Sequence, residues 1–214
     1  MKKSNFKHLF STKSQRRELK NHLPDKNAKR FALALFILFF FLYIQVKPYS
    51  GQAHHVEGVM EYLFMLYQFV INQTLGIVHE GGHGVCYILP CPQFVMVLNG
   101  TLFQWLFPLS IGVYYKRRGN QMAFYAGLFI LGISMDYTSW YMSTAHEGLH
   151  LPAYKSFLGV DALHDFNYLF TSLGLMQYES LISGMTKLFA FLLMIGSLIA
   201  MFFEAFSNKK NREE

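Results

Sequence analysis

Residues 79–83 read His79-Glu80-Gly81-Gly82-His83, an H-E-x-x-H sequence at the end of a long apolar run. Two histidines four residues apart lie on one face of a helix, with their Cβ atoms about 5–6 Å apart. Both imidazoles can then reach one Zn²⁺ at about 2.0–2.1 Å. A glutamate between them is the residue type that accepts a proton from a water activated by the metal. The sequence therefore predicts metal ligands at His79 and His83 and a general base at Glu80.

The surroundings of the motif favour function over a chance match. Residues 62–78 are almost entirely apolar and are typical of a helix buried in lipid. Ionisable residues are costly to hold in a membrane, so a cluster of them there indicates a functional site.

A catalytic zinc site needs a third protein ligand and one open position. His164 and Asp165 are the best candidates, and the sequence does not choose between them. Whichever does not bind the metal can orient a ligating histidine. Asp136, in the middle of an apolar run, is a further candidate, either as a supporting acceptor or as the ligand itself. The alternatives are a helix capped by Asp165 and an Asp136 that pairs with nearby hydroxyl groups.

A second H-E-x-x-H covers His146 to His150 and is followed at once by Leu151-Pro152. Proline disfavours helix in the residue before it, so we predict an exposed loop here. The alternative is a metal-handling face on which several histidines collect ions, namely His54, His55, His146 and His150.

Cys86 and Cys91 match no zinc or redox spacing, and we predict that they are small buried apolar residues.

Composition indicates an integral membrane protein. The chain is 52% hydrophobic and only 15% charged. Ten of its 19 Lys and Arg residues lie in residues 1–30, next to the first apolar run. This pattern fits anionic lipid headgroups better than nucleic acid, and we predict no nucleic-acid partner.

The apolar pattern predicts an all-α membrane protein, a multi-span helical bundle with a re-entrant segment after the metal-motif helix. We expect a basic cytoplasmic tail (1–30), a membrane-embedded domain (31–206) and a charged cytoplasmic tail (207–214). Apolar spans are predicted at 31–46, 59–89, 121–144 and 187–206. Asn99-Gly100 is a strong turn signal and makes 94–115 the re-entrant segment.

Basic loops stay on the cytoplasmic side, which sets the expected orientation. A re-entrant 94–115 places Lys116, Arg117 and Arg118 inside, the 145–163 loop outside and both termini in the cytoplasm. Because the basic N-terminal tail lies inside, the first span exits and the second returns, which places His79 nearer the cytoplasmic face. We expect a bacterial inner (cytoplasmic) membrane.

The combination of the 79–83 motif, the Asn99–Pro108 stretch, Asp136 and His164-Asp165 resembles the M50-like, site-2 protease type of intramembrane zinc metallopeptidases, in particular a small bacterial membrane subgroup. The likeness covers residues of about 60–180. It implies Zn²⁺ as cofactor and an aspartate as third ligand, although the Asn-Pro-x-x-Asp-Gly and Leu-Asp-Gly settings of the larger group are absent from this chain.

We therefore expect an intramembrane zinc endopeptidase that hydrolyses a peptide bond in a transmembrane or membrane-proximal segment of a protein or peptide substrate. Asn99 is a candidate for stabilising the oxyanion. The alternatives are a membrane metal transporter or metal-binding protein, and a catalytically inactive M50-like scaffold.

Overall fold

The computed structural model describes residues 26–46, 58–153 and 161–210. Several predictions concern residues outside these ranges. They are the basic tail at residues 1–25, the histidines His54 and His55, part of the 145–163 loop and the end of the C-terminal tail. The chain divides into two compact units, Met1–Pro48 and Tyr49–Glu214. Within the first unit the described element is helix α1 (Lys26–Val46).

The second unit is helical, with one very short hairpin. Its elements in chain order are α2 (Val59–Ile88), α3 (Gln93–Arg117), α4 (Gln121–Met142), a 3₁₀ turn (Ala145–Glu147), β1 (His150–Leu151), β2 (Ala162–Leu163), α5 (Asp165–Leu173), a second 3₁₀ turn (Met176–Tyr178) and α6 (Glu179–Lys210). The two strands pair antiparallel, with His150 opposite Leu163. The segments predicted as spans at 59–89 and 121–144 are helices, and the helix start predicted near residue 164 is confirmed. Neither of the two segments is among the described helices that are long and apolar enough to cross a membrane, so a multi-span bundle is not confirmed.

Four helices pack in sequence, α2 on α3, α3 on α4, and α4 on α6. Short connections make α2–α3 and α3–α4 antiparallel. The pair α4–α6 is antiparallel as well, because Thr186 contacts Met142 while Met194, further along α6, lies at Gly132. Gly112 of α3 lies against Gly127 of α4, while Gly132 of α4 lies against Met194 of α6. The turn between α3 and α4 ends on Gly119, whose φ of 81° suits a residue without a side chain.

The turn predicted at Asn99-Gly100 is wrong, and a re-entrant segment is not confirmed. Residues 93–117 form one continuous helix that also runs through Pro108. Tertiary packing outweighs the local turn preference here, because Gly100 lets the backbone of α3 approach the side chains of α2.

Two of the described helices are long and apolar enough to cross a membrane, Gln93–Arg117 and the stretch Met176–Ala205. Large apolar side chains stand exposed along the second of these, including Leu188, Phe189, Leu192, Phe202 and Phe203. Soluble monomers rarely expose so extended an apolar surface, whereas lipid-facing helices do.

A compact apolar core lies at the end of the array where α4 finishes and α6 begins. Helix α5 contributes one face to it through Phe166, Leu169 and Phe170, spaced three and four residues apart. These side chains pack on Tyr141 and Met142 at the end of α4. The core therefore fixes the start of α5, and with it His164 and Asp165.

The glycine contact between α3 and α4 can be tested by one methyl group. A Cβ at Gly127 would lie 2.8 Å from Gly112 Cα and 2.9 Å from the Pro108 carbonyl oxygen, both backbone atoms. We expect Gly127→Ala to destabilise the fold by about 1–3 kcal/mol, the usual cost of overpacking. The measurement is the midpoint of thermal unfolding in detergent.

Gly184→Ala in α6 is the matched control, because nothing lies within 4 Å of a Cβ built there. It should be neutral or stabilising by up to about 1 kcal/mol, since alanine is the better helix former. Equal midpoints for the two variants would contradict the close packing of α3 on α4.

Candidate metal site

Helices α2 and α3 touch backbone to backbone beside the motif. A Cβ on Gly82 would overlap the Asn99 carbonyl oxygen, and one on Gly100 would lie 2.6 Å from His83 Nε2. The glycines therefore allow α3 to run directly beneath the two imidazoles. Because glycine has no side chain, the two helices can approach this closely.

Three side chains meet at this contact, His79 and His83 of α2 and Asp165 of α5. The His79 Nε2 atom is 2.8 Å from Asp165 Oδ2 and 3.1 Å from His83 Nε2. His83 Nε2 is 3.4 Å from the same carboxylate oxygen. His79 is buried, with only 2% of its surface exposed, and Asp165 is buried as well. Among the described residues, this is the group of His, Cys, Asp and Glu side chains that could hold a metal ion.

The outer nitrogens of both rings are held by α3. His79 Nδ1 lies 3.1 Å from Gln104 Oε1, and His83 Nδ1 lies 2.8 Å from the Met96 carbonyl oxygen. A carbonyl oxygen only accepts, so each neutral ring donates through Nδ1 and keeps a lone pair on Nε2. The two lone pairs and the Asp165 carboxylate oxygen then face one another at 2.8–3.4 Å. Three acceptors arranged in this way favour a cation between them.

Asp165 begins α5 and is held on both sides. Its backbone N–H donates to the Tyr141 hydroxyl at 3.1 Å. Burial by itself would raise the pKa of this carboxyl, but when a proton rather than a metal lies at the Nε2 atoms, the adjacent His79 and His83 rings outweigh burial, and the net pKa lies below the usual value. The carboxylate is therefore in the charged form that a metal ligand requires.

His164 turns away from this group. Its Nδ1 accepts from the Asn167 N–H and caps α5, its Nε2 lies 3.0 Å from Thr144 Oγ1, and its ring stacks on Tyr141. Burial lowers its pKa to about 4, so the ring is neutral near pH 7 and can serve as the acceptor at the cap. The sequence left the third position open between His164 and Asp165, and the structure brings Asp165 to the histidines. The alternative of a helix capped by Asp165 is wrong, because the capping residue is His164.

Asp136 is not a member of the His79–His83–Asp165 group. Asp136 is buried within α4, and its supporting role stays a prediction. The Asn99 side-chain amide donates to Cys86 Sγ at 3.1 Å, so its oxyanion role is also a prediction only.

The second H-E-x-x-H lies in a 3₁₀ turn and a short strand with exposed histidines, as predicted for a loop. His146 Nδ1 lies 2.9 Å from Glu179 Oε1, and His150 Nε2 lies 3.8 Å from Asp161 Oδ2. The two histidines of this motif thus contact different carboxylates.

The prediction for the cysteines is wrong, because Cys86 and Cys91 form a disulfide. Helix α2 ends at Ile88 and the chain turns through Pro90 and Pro92, which brings the two Cα atoms to 5.2 Å. That separation lies inside the range that a disulfide spans.

Sequence reasoning missed the residues that orient the histidines, chiefly Gln104. The available signal was its position as a polar residue in the apolar stretch 101–108. The sequence cannot indicate the role of the Met96 carbonyl, because every residue has a backbone carbonyl.

The chain matches no protein-family model, no curated protein and no solved structure.

The role of Gly100 in positioning the rings gives a direct test. In Gly100→Ala the new methyl would lie 2.6 Å from His83 Nε2 and 2.7 Å from His79 Nε2, so both rings must move. We expect Zn²⁺ affinity to fall about 10–100-fold, the usual cost of disturbing ligand orientation. Competition with a chromogenic chelator measures it.

Gly84→Ala on α2 is the matched control, since a Cβ there meets nothing within 4 Å. Its Zn²⁺ affinity should equal that of the wild type. Unchanged affinity in both variants would show that Zn²⁺ does not bind between the two rings.

Proposed function

We propose that this protein is a membrane-embedded zinc endopeptidase that cleaves a peptide bond in a transmembrane or membrane-proximal segment of its substrate. The observation that carries the proposal is the convergence of His79, His83 and Asp165, with their ligand atoms within 4.8 Å of one another. Two histidines and one carboxylate, with one position left for water or substrate, is a known ligand set of catalytic zinc.

The separations of the ligand atoms fit Zn²⁺. In a tetrahedral site with bonds of about 2.0–2.1 Å, ligand atoms lie about 3.3–3.4 Å apart. The three separations here are 2.8, 3.1 and 3.4 Å, so small outward shifts of the side chains reach that geometry. Both histidines also carry the outer hydrogen bonds that ligating imidazoles use to fix ring orientation, to Gln104 and Met96.

Glu80 has the position of a general base. It follows His79 directly on α2 and is half-buried beside the ligand group. When bound, Zn²⁺ would polarise the substrate carbonyl and make water more acidic. Glu80 would take the proton from the attacking water and pass it to the amine nitrogen that leaves.

A substrate backbone has room to approach on the same helix. A Cβ built on Gly81 or Gly84 meets nothing within 4 Å, and Gly81 is exposed. A substrate helix keeps its peptide groups hydrogen-bonded within itself, so it must unwind locally before a peptide bond reaches Glu80.

Metal content tests the assignment of the third ligand. We expect purified protein to carry about one Zn²⁺ per chain, as one three-ligand site requires. Asp165→Ala and the double variant His79→Ala, His83→Ala should lose it. His164→Asn is the matched control, because asparagine also caps helices and the His164 ring does not face the site.

Elemental analysis of protein purified without chelators provides the measurement. Wild-type protein without a transition metal would contradict the proposal. Loss of zinc from His164→Asn together with retention in Asp165→Ala would assign the third ligand to His164 instead.

Glu80→Gln separates a hydrolase from a transporter. The amide keeps the size of the side chain but cannot act as a base, so zinc content should be unchanged. Cleavage of fluorescein-labelled casein in detergent should fall at least about 100-fold, within the range of general-base contributions. Equal cleavage by Glu80→Gln, or no cleavage by zinc-loaded wild type, would contradict the peptidase and favour a metal-transporting or inactive protein.

A further inference from the structure

The second unit has two chemically different ends. The site end contains the last turns of α2 and α4, the first turns of α3 and α6, and α5, together with the His79–His83–Asp165 group. The opposite end, called the basic end, contains the last turns of α3 and α6 and the first turn of α4. The antiparallel order of the four helices sets this division.

Basic residues collect at the second of these ends. Within the described ranges 58–153 and 161–210 there are six Lys and Arg residues, and five lie at the basic end, namely Lys116, Arg117, Arg118, Lys209 and Lys210. The sixth, Lys187, precedes the apolar stretch of α6. Lysine and arginine beside membrane spans are retained on the cytoplasmic side. Within the second unit, these residues favour the basic end as the cytoplasmic one; the ten Lys and Arg residues of 1–30 belong to the first unit.

Aromatic contacts support an interfacial position for the basic end. Lys116 Nζ lies 4.2 Å from the centre of the Phe124 ring, and the Arg118 guanidinium lies 4.6 Å from that of Tyr114. Tyrosine is enriched where a span meets the lipid headgroups, and long basic side chains reach towards the headgroups from there.

The disulfide lies at the site end. Cys86 and Cys91 join the last turn of α2 to the connection before α3. Disulfides persist in oxidising compartments and are rare in the cytoplasm. Charge and cysteine chemistry are independent properties, and they give the same orientation.

From these two observations we infer that the His79–His83–Asp165 site faces the extracytoplasmic side of the membrane. Its substrate is then a polypeptide segment at that face, such as the membrane-proximal part of an exported chain. The orientation rests on the basic residues and the disulfide, and only the nature of the substrate rests on the proposed peptidase function. It reverses the expectation that His79 lies near the cytoplasmic face. That expectation came from a basic N-terminal tail inside and a crossing at 31–46, and it agreed with Lys116–Arg118 only through a re-entrant segment, whereas α3 is continuous.

Two single-cysteine variants test the orientation without changing any charge. In a Cys86→Ala, Cys91→Ala background, Ser172→Cys places a thiol on exposed α5 at the site end, and Gln121→Cys places one at the start of α4 at the basic end. Right-side-out spheroplasts of the bacterial host are treated with a sulfonated, membrane-impermeant maleimide, and then again after permeabilisation.

We expect Ser172→Cys to react in intact spheroplasts and Gln121→Cys only after permeabilisation. The reverse pattern, reaction of both before permeabilisation, or reaction of neither before it would each overturn the inference. Thiol labelling does not depend on zinc or on peptide cleavage, so this result is separate from the fate of the proposed function.

The wild-type chain gives a second measurement. Membranes denatured and treated with a polyethylene-glycol maleimide should show no mass shift until the phosphine TCEP is added, and then a shift for two thiols. Two reactive thiols without TCEP would show that the site end is not in an oxidising compartment, which contradicts the inference.

Discussion

The close approach of α2 and α3 at Gly82 and Gly100 is the constraint on which the site depends. Because the two backbones touch at this point, both imidazole rings lie directly against α3. There Gln104 Oε1 accepts a hydrogen bond from His79 Nδ1 and the Met96 carbonyl oxygen accepts one from His83 Nδ1, so both Nε2 lone pairs point at one location. Any side chain on Gly100 would occupy the space of the rings themselves. The two glycines thus set the orientation of the two histidine rings.

The third member of the group comes from far along the chain, 86 residues after His79. Its placement depends on apolar packing rather than on the site. Helix α5 buries one face against the end of α4, and Tyr141 both belongs to that core and accepts a hydrogen bond from the Asp165 N–H. The neutral His164 ring caps the same helix. The core therefore sets the position and direction of the carboxylate before any metal is present, which is the kind of pre-organisation that catalytic sites need.

The same end of the molecule combines buried ionisable groups with a disulfide, while the opposite end carries the basic residues. Because α3 is a single helix, the metal-motif end and the Lys116–Arg118 cluster must lie at opposite ends of it. A helix of 25 residues is about 37 Å long, which exceeds the hydrocarbon core of a bilayer. Continuity of this one element therefore puts the site end and the Lys116–Arg118 cluster on opposite sides of a bilayer that α3 crosses, whereas a re-entrant turn would put them on the same side.

The sequence by itself determined the local features. The spacing of His79, Glu80 and His83 predicted their common helix face, and the apolar runs predicted α2, α4 and the start of α5, because periodicity and composition are properties of neighbouring residues. The tertiary structure alone decided the rest. Asn99-Gly100 signals a turn locally but lies in a helix, because packing against α2 is worth more than a turn preference. Nothing local distinguishes His164 from Asp165 as a ligand, since both are adjacent and both suit a metal. Their directions differ only because α5 docks on α4 with Asp165 inward and His164 at the cap, a consequence of contacts between residues far apart in the chain.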